Sequence, residues 1–506
     1  MSGRSILYNN PIERLDMTKI SDHTLLAAGV ILCIIAAWFS IGYHHPDEHF
    51  QIWEFANYKL GHIPAVDLPW EFHAKERPGV QVFLAYSTIL VAQKLGIENP
   101  FIQVFITRLI CGIVAIWIFW RWSFWLERDL KQPATARWLR IGLLFFCFIP
   151  YLNVRFTSEN TSALCFFGGM LLLVRAIGDR KNNYSWHLVL AGFLLGLSFF
   201  FRYQIAFAGI GLGAWILTQN RLSWSVWAAL TIGVLVAVCV GLATSFWLYG
   251  EWVFAPYNYY YHNIVLGKAA EFGVEPVWWY LTEMPIALIP PLGLALWALF
   301  FVGLWKKPMH SLTWCLVPYV VAHSFMAHKE VRFLFPMVLP FFFLVVSGWE
   351  FFQEKFEVKN WMRKSFAFCL WLNLVPLTFT VLAPACKMAA YSKFLWDWEL
   401  AHPNSTIYFV KKAPRKHYPL DMPFYENPKQ HQLDWYTDSL YKNDTTALKS
   451  GDLMLFTEVL NPQPTVPPGY NLERVFAMYP NWALRFNIND WQSRTRIWAV
   501  YEVIDL

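Results

Sequence analysis

Apolar runs separated by short charged stretches recur along the first 386 residues, and this alternation constrains the fold more than any other feature of the chain. Crossing the hydrocarbon core of a bilayer takes about 20 apolar residues. Runs of that order lie at 24–43, 100–120, 139–153, 161–177, 187–201, 204–219, 225–248, 281–304, 311–327, 333–349 and 365–386. They predict a mainly α-helical, polytopic membrane protein with about eleven transmembrane helices. Of 506 residues, 56% are hydrophobic and 15% charged. With a mean hydropathy of +0.33, this excludes an ordinary soluble protein. The net charge of +6 does not point to nucleic acid, because Lys and Arg fall in short clusters between the runs, as membrane orientation requires. Seven of the eight cysteines lie inside apolar runs and Cys386 ends one, so neither a disulfide framework nor a zinc pattern is predicted. No small-residue cleavage site follows the first run, which reads as a retained anchor.

The excess of basic residues on the cytoplasmic side fixes an orientation. With Arg4, Arg14 and Lys19 inside, the stretch 80–95 must re-enter or lie on the far surface without crossing. The clusters at Arg121/Arg128/Lys131/Arg137/Arg140, Arg180/Lys181, Arg221, Lys306/Lys307 and Lys355/Lys359/Arg363/Lys364 then all fall inside. Four polar segments, 44–79, 154–160, 249–280 and 328–332, share the outer face. Residues 1–386 form the membrane domain, with 44–79 as its first outer loop. After Cys386 the chain turns polar, and β-like runs at 406–410, 452–459, 472–478 and 495–503 predict a small α+β extramembrane domain over 387–506 on the same face.

The unusual charged residues collect in the outer segments. Asp47 and Glu48 sit where the first apolar run meets water, flanked by His44, His45 and His49. They are either helix-end carboxylates in solvent or a general base able to take a proton from a hydroxyl, and spacing does not say which of the two does so. The three histidines lack the fixed context of a metal site. His328-Lys329-Glu330-Val331-Arg332-Phe333 forms the whole hairpin between two apolar runs. It is either an ordinary basic loop or an anion site, with Arg332 offering a bidentate fork and Lys329 and His328 further donors. Trp70-Glu71 and Arg77 suit the headgroup level, and Arg77 is placed to reach a lipid phosphate. Arg155 with Glu159, and Arg202, either snorkel or satisfy backbone carbonyls. The aromatic stretches 257–263 and 278–280 read as an interfacial belt or as platforms for sugar rings.

Taken in order, His45-Pro46-Asp47-Glu48-His49-Phe50-Gln51, Trp70-Glu71 with Arg77, Arg155 with Ser158-Glu159-Asn160-Thr161, Phe272-Gly273 with Trp278-Trp279-Tyr280, and His328-Lys329-Glu330-x-Arg332-Phe333 resemble glycosyltransferase family 22. These are the polyprenyl-phosphate-mannose-dependent mannosyltransferases. Within the family the nearest likeness is to the transferases that add the third mannose of glycosylphosphatidylinositol (GPI). The resemblance covers about residues 24–350. It implies a GT-C fold with a cytoplasmic N-terminus and a lumenal or periplasmic active site, in the endoplasmic reticulum of a eukaryote or the inner membrane of a bacterium. It implies inverting, metal-independent transfer of mannose from dolichyl or polyprenyl phosphate mannose to a glycan or glycolipid hydroxyl, with no cofactor. Carried onto this chain, it makes Asp47 the base and Glu48 its orienting neighbour. Arg332, Lys329, His328 and Arg77 become donor-phosphate ligands, and Glu71, Trp70, Glu159, Arg155, Trp279 and Tyr280 acceptor- or sugar-binding residues. The Cys-His-Ser-Thr-Pro element of eukaryotic third-mannose enzymes is missing, which leaves a bacterial relative acting on an envelope glycan open. A transporter or flippase of lipid-linked sugar is the rival from another class. It needs no surface base and usually carries related halves, and no repeated half is visible.

Overall fold

In a computed structural model of the chain, the described residues are 20–178, 185–219, 223–403, 405–410, 422–425, 433–436, 448–456, 466, 469–479, 481–487, 490–494 and 497–505. Arg4, Arg14, Lys19, Arg180, Lys181 and Arg221 lie outside them.

The first unit spans residues up to Ser40 and His45–Ala383. Its first long helix, α1 (Asp22–Phe39), is started by Ser21, whose hydroxyl accepts the Thr24 N–H at 3.1 Å. Then come α2 (Gly79–Lys94), α3 (Pro100–Leu126), α4 (Pro133–Phe145), α5 (Ser158–Gly178), α6 (Ser185–Phe201), α7 (Ala206–Thr218) and α8 (Trp224–Tyr249). The series ends with α9 (Trp279–Ala287), α10 (Leu292–Lys306), α11 (Ser311–Phe325), α12 (Val338–Lys355) and α13 (Asn360–Leu382). Helix pairs approach closely through small residues, as they do in membranes. Between α6 and α8 a Cβ on Gly192 would stand 2.1 Å from the Leu230 carbonyl oxygen, and one on Gly233 2.0 Å from that of Val189.

Among the described residues, six helices are long and apolar enough to cross a membrane, or seven if α10 and α11, bent by 120°, count as one span. The chain is an integral membrane protein, but the expected count of eleven is not reached. The run 139–153 breaks at 146–148 between α4 and a five-residue helix, Ile149–Asn153, which carries Pro150. The run 281–304 is interrupted by Pro290-Pro291 between α9 and α10. The runs 187–201 and 204–219 give helices of only 17 and 13 residues, parted by an extended Arg202 at φ −151°, ψ 117°.

Helix α2 accounts for the segment 80–95. Gly79 at its start abuts Thr244 and Ser245, near the end of α8. At its far end it leads within a few residues to α3, whose Arg108 donates to the Ser40 carbonyl just past α1 at 2.8 Å. Both ends of α2 therefore lie on one side of the bundle, the side that carries the outer segments. On the opposite side the basic clusters meet: Lys307 Nζ donates to the Asp129 carbonyl at 2.6 Å, and Lys131 Nζ to Glu354 at 2.5 Å.

The second unit comprises Ile41–His44 and residues from Pro384 onward. The strip at 41–44 is tied in by the Ala385 N–H donating to the Ile41 carbonyl at 2.8 Å. Helix α14 (Lys387–Ala401) covers a five-stranded sheet of β1 (Ile407–Val410), β2 (Leu433–Tyr436), β3 (Leu453–Phe456), β4 (Tyr470–Ala477) and β5 (Ala499–Asp505). The order is β2-β1-β3-β5-β4, with β1 parallel to β2 and β3, and β5 antiparallel to β3 and β4. Its core packs Tyr391 of α14 with Ile407, Leu453, Leu455, Trp498 and Val500.

Candidate active site

Pro46 opens a short helix, Pro46–Glu48, and His45 Nδ1 caps it by accepting the Asp47 N–H at 3.3 Å. A π-helical turn, His49–Trp53, follows directly, of the kind that collects at functional sites. The two carboxylates part company here. Asp47 stays partly exposed, whereas Glu48 is buried 3.9 Å from Nη1 of the equally buried Arg155. Arg155 is itself anchored by donating from Nη2 to Ser40 Oγ at 2.6 Å.

The hairpin 328–332 delivers Arg332 to the same place through a 3₁₀ turn, Val331–Met337. Its guanidinium donates four hydrogen bonds to three carboxylates. Nε donates to Glu330 Oε2 at 2.6 Å and Nη2 to Glu330 Oε1 at 2.9 Å, a bidentate grip. Nη2 also donates to Asp47 Oδ2 at 3.0 Å, and Nη1 to Glu159 Oε1 at 3.2 Å. Glu159, on the first turn of α5, is shared with Arg202 Nη1 at 3.0 Å. The break between α6 and α7 thus serves the site: it turns Arg202 inward to balance a buried carboxylate.

Burial raises the Asp47 pKa, but the His45 contact and the guanidiniums of Arg332 and Arg77 outweigh it and hold the carboxyl well below the usual carboxylate range. Glu330 behaves alike. Against burial, Arg332, His328 and His45 bring it down to about 2. Asp47, Glu48, Arg77, Ser158, Glu159 and Arg332 are among the residues lining a cleft of about 440 Å³, open mouth included.

Around this centre the remaining expected residues take different stations. Arg77 lines the cleft 3.9 Å from Glu71 and 3.8 Å from Glu76, with its guanidinium 5.7 Å from the Tyr259 ring centre. Glu71 accepts from Gln51 Nε2 at 3.0 Å. Trp70 is exposed and meets His262 edge-on at 6.3 Å. His328 pairs with Glu330 Oε1 at 2.9 Å. Tyr280 is buried and donates its hydroxyl to the Glu330 carbonyl at 3.2 Å, with Trp279 packed edge-on against it. Lys329 does not line the cleft. Its buried ammonium donates to the carbonyls of Met326 at 2.5 Å and Glu275 at 2.7 Å, fastening the aromatic segment to the hairpin. His49 Nε2 is taken by Glu54 at 2.8 Å, and among the described residues no group of three or more His, Cys, Asp or Glu is arranged to hold a metal.

Sequence reasoning missed Glu76. Fully buried, it accepts from Asn263 Nδ2 at 3.3 Å and lies 3.5 Å from His262 Nδ1. Burial, only partly offset by Arg77, lifts its carboxyl from 4.5 to about 7. The only signal was an acidic residue beside Arg77 at a membrane boundary.

This constellation joins two short motifs 285 residues apart through one arginine. The profile of the Alg9-like mannosyltransferase family matches residues 24–430. The chain belongs to that family. A GPI mannosyltransferase 3 of Yarrowia lipolytica is 27% identical over 303 residues, covering 58% of this chain and 56% of its own length. A GPI alpha-1,2-mannosyltransferase 3 of Danio rerio is 24% identical over 389 residues, covering 74% and 67%. The chain thus spans little more than half of the Yarrowia protein. Among solved structures, ArnT from Cupriavidus metallidurans bound to undecaprenyl phosphate superposes with a TM-score of 0.50 over 95% of this chain and 97% of its own, at 13% identity. That likeness concerns the fold, and it agrees with the GT-C architecture implied by the motifs.

Proposed function

We propose that the chain is an inverting mannosyltransferase that uses dolichyl or polyprenyl phosphate mannose to extend a GPI-type glycan in α-1,2 linkage, on the lumenal or periplasmic face of its membrane. The observation that carries this reading is the Arg332–Asp47 contact at 3.0 Å. It sets a candidate base and a candidate anion clamp side by side in one cleft. The relatives named for GPI mannosyl transfer support the acceptor class. ArnT, a protein of like fold solved with undecaprenyl phosphate bound, supports the donor class.

In this reading Arg332, with His328 and Arg77, holds the donor phosphate, and Lys329 adds its charge from the same hairpin. The acceptor hydroxyl oxygen attacks C1 of mannose opposite the phosphate. The bond from C1 to the phosphate oxygen breaks, and polyprenyl phosphate leaves with the bonding pair. The hydroxyl proton passes to Asp47. Cations that meet the charge growing on the leaving phosphate lower the barrier. The depressed pKa of Asp47 fits the sequence of events. Once a phosphate partly neutralises Arg332 and Arg77, Asp47 loses the charges that hold its pKa down and becomes a stronger base. Glu48, held by Arg155, orients this turn.

The test supplies purified protein with radiolabelled polyprenyl phosphate mannose and a GPI precursor bearing two mannoses. Labelled product sensitive to an α-1,2-mannosidase is expected. Product formed only on an envelope glycan would move the acceptor, and none from any polyprenyl phosphate sugar would refute the reading.

A further inference from the structure

Neither paired-donor edge of Arg332, Nε/Nη2 or Nη1/Nη2, is free for a phosphate. All its contacts, on Nε, Nη1 and Nη2, are spent on the carboxylates of Glu330, Asp47 and Glu159. For the guanidinium to take a phosphodiester in its fork, at least one of these must withdraw. Glu159 is the least able, being buried and shared with Arg202 at 3.0 Å. Asp47 meets only Nη2 and leaves the fork intact. Glu330 occupies the Nε/Nη2 fork itself, with two oxygens spaced much as a phosphate's are.

Glu330 also has somewhere to go. His328 Nε2 lies 2.9 Å from its Oε1, and His45 Nε2 3.8 Å from its Oε2. Its side chain is one-quarter exposed, whereas Arg332 is buried. Against burial, Arg332 first and then His328 and His45 push its carboxyl down to about 2, so it rests charged beside the guanidinium.

We propose that Glu330 is the exchangeable counter-ion of Arg332: its carboxylate fills the phosphate fork in the resting site, yields it to the donor, and reclaims it to expel polyprenyl phosphate after transfer. This rests on reading Arg332 as the phosphate ligand. Binding energy is lost to the exchange, so donor affinity is lower than an open arginine would give. In return the fork is never left as an unpaired buried charge between turnovers, and the product is displaced by a tethered competitor at high local concentration.

The test measures equilibrium binding of dolichyl phosphate, in detergent micelles, to wild type, Glu330→Gln, Glu330→Asp and Arg332→Ala, with steady-state transfer kinetics alongside. Glu330→Gln should bind about tenfold more tightly than wild type, and its donor KM and kcat should fall together as product release slows. Glu330→Asp, too short to keep both contacts, should bind a few-fold more tightly and serves if the glutamine variant does not fold. A role confined to holding the hairpin in shape would weaken binding instead. Equal or weaker binding by both Glu330 variants, with Arg332→Ala clearly weakened, overturns this proposal alone. Equal binding by wild type and Arg332→Ala overturns the phosphate reading of Arg332 and this proposal with it.

Discussion

Gly79→Ala is a sharp test of how the outer loop is held. Gly79 begins α2, two residues after Arg77. A Cβ there would lie 2.2 Å from the Thr244 carbonyl oxygen, 2.5 Å from its carbon and 2.8 Å from the Ser245 nitrogen. Ordinary contact begins near 3.4 Å, and every atom met is backbone, so no rotamer change relieves the clash. The start of α2 must retreat from α8 by about 1 Å, at a cost of about 1–3 kcal/mol in stability. The Tyr249 hydroxyl, near that end of α8, donates to the Arg77 carbonyl at 2.9 Å, so the shift is transmitted to Arg77. A displacement of about 1 Å at a positioning group costs roughly 10²-fold in rate. Gly79→Ala should therefore lose about that much mannose transfer, with a raised donor KM and a lowered melting midpoint. Gly209→Ala and Gly213→Ala are matched controls. No atom lies within 4 Å of a Cβ at either position, and in a helix alanine adds up to about 1 kcal/mol. Both should melt at or above the wild-type midpoint. A fully active, fully stable Gly79→Ala would refute the close packing of α2 on α8 as the support of Arg77.

Lys329→Met leaves the Met326 and Glu275 carbonyls without their shared donor. It should cost about 1–3 kcal/mol in thermal stability, yet weaken dolichyl phosphate binding less than Arg332→Ala does; the opposite ranking would make Lys329 a direct ligand. Glu76 gives a pH signature. Its folded pKa is raised from 4.5 to about 7, so its stabilising contribution is complete below about pH 4.5 and is lost as the pH rises through 7. The full swing is on the order of 3 kcal/mol, taking 1.36 kcal/mol per unit. Glu76→Gln should flatten the stability profile between those limits, as read by melting midpoints across pH; an unchanged profile would remove Glu76 as its source.

What could be read from the sequence was what local chemistry dictates. Hydropathy and the sidedness of Lys and Arg were enough to bring 44–79, 154–160, 249–280 and 328–332 to one face, and Asp47, Arg77, Glu159 and Arg332 now line one cleft. The number of spans was not readable in the same way. An apolar run does not reveal that Pro150 or Pro290-Pro291 will divide it. Lys329 looked like an anion ligand because its type allows that role, and only the tertiary position of Glu275, 54 residues away, shows what its ammonium holds. Glu76 escaped for the same reason, its partner Asn263 being 187 residues distant. Strand β2, with only four residues, is too short to show a period.

Asp47 is the carboxylate that joins the first outer loop to Arg332, and the proposed transfer depends on it as the base. The most direct measurement is single-turnover transfer of labelled mannose from polyprenyl phosphate mannose by wild type and Asp47→Asn, with donor binding determined on the same preparations. The asparagine keeps the side chain's shape and removes its ability to take the proton. It should bind donor and transfer at least about 10²-fold more slowly, the usual scale of a lost general base. Transfer at the wild-type rate by a folded Asp47→Asn variant would rule out Asp47 as the base.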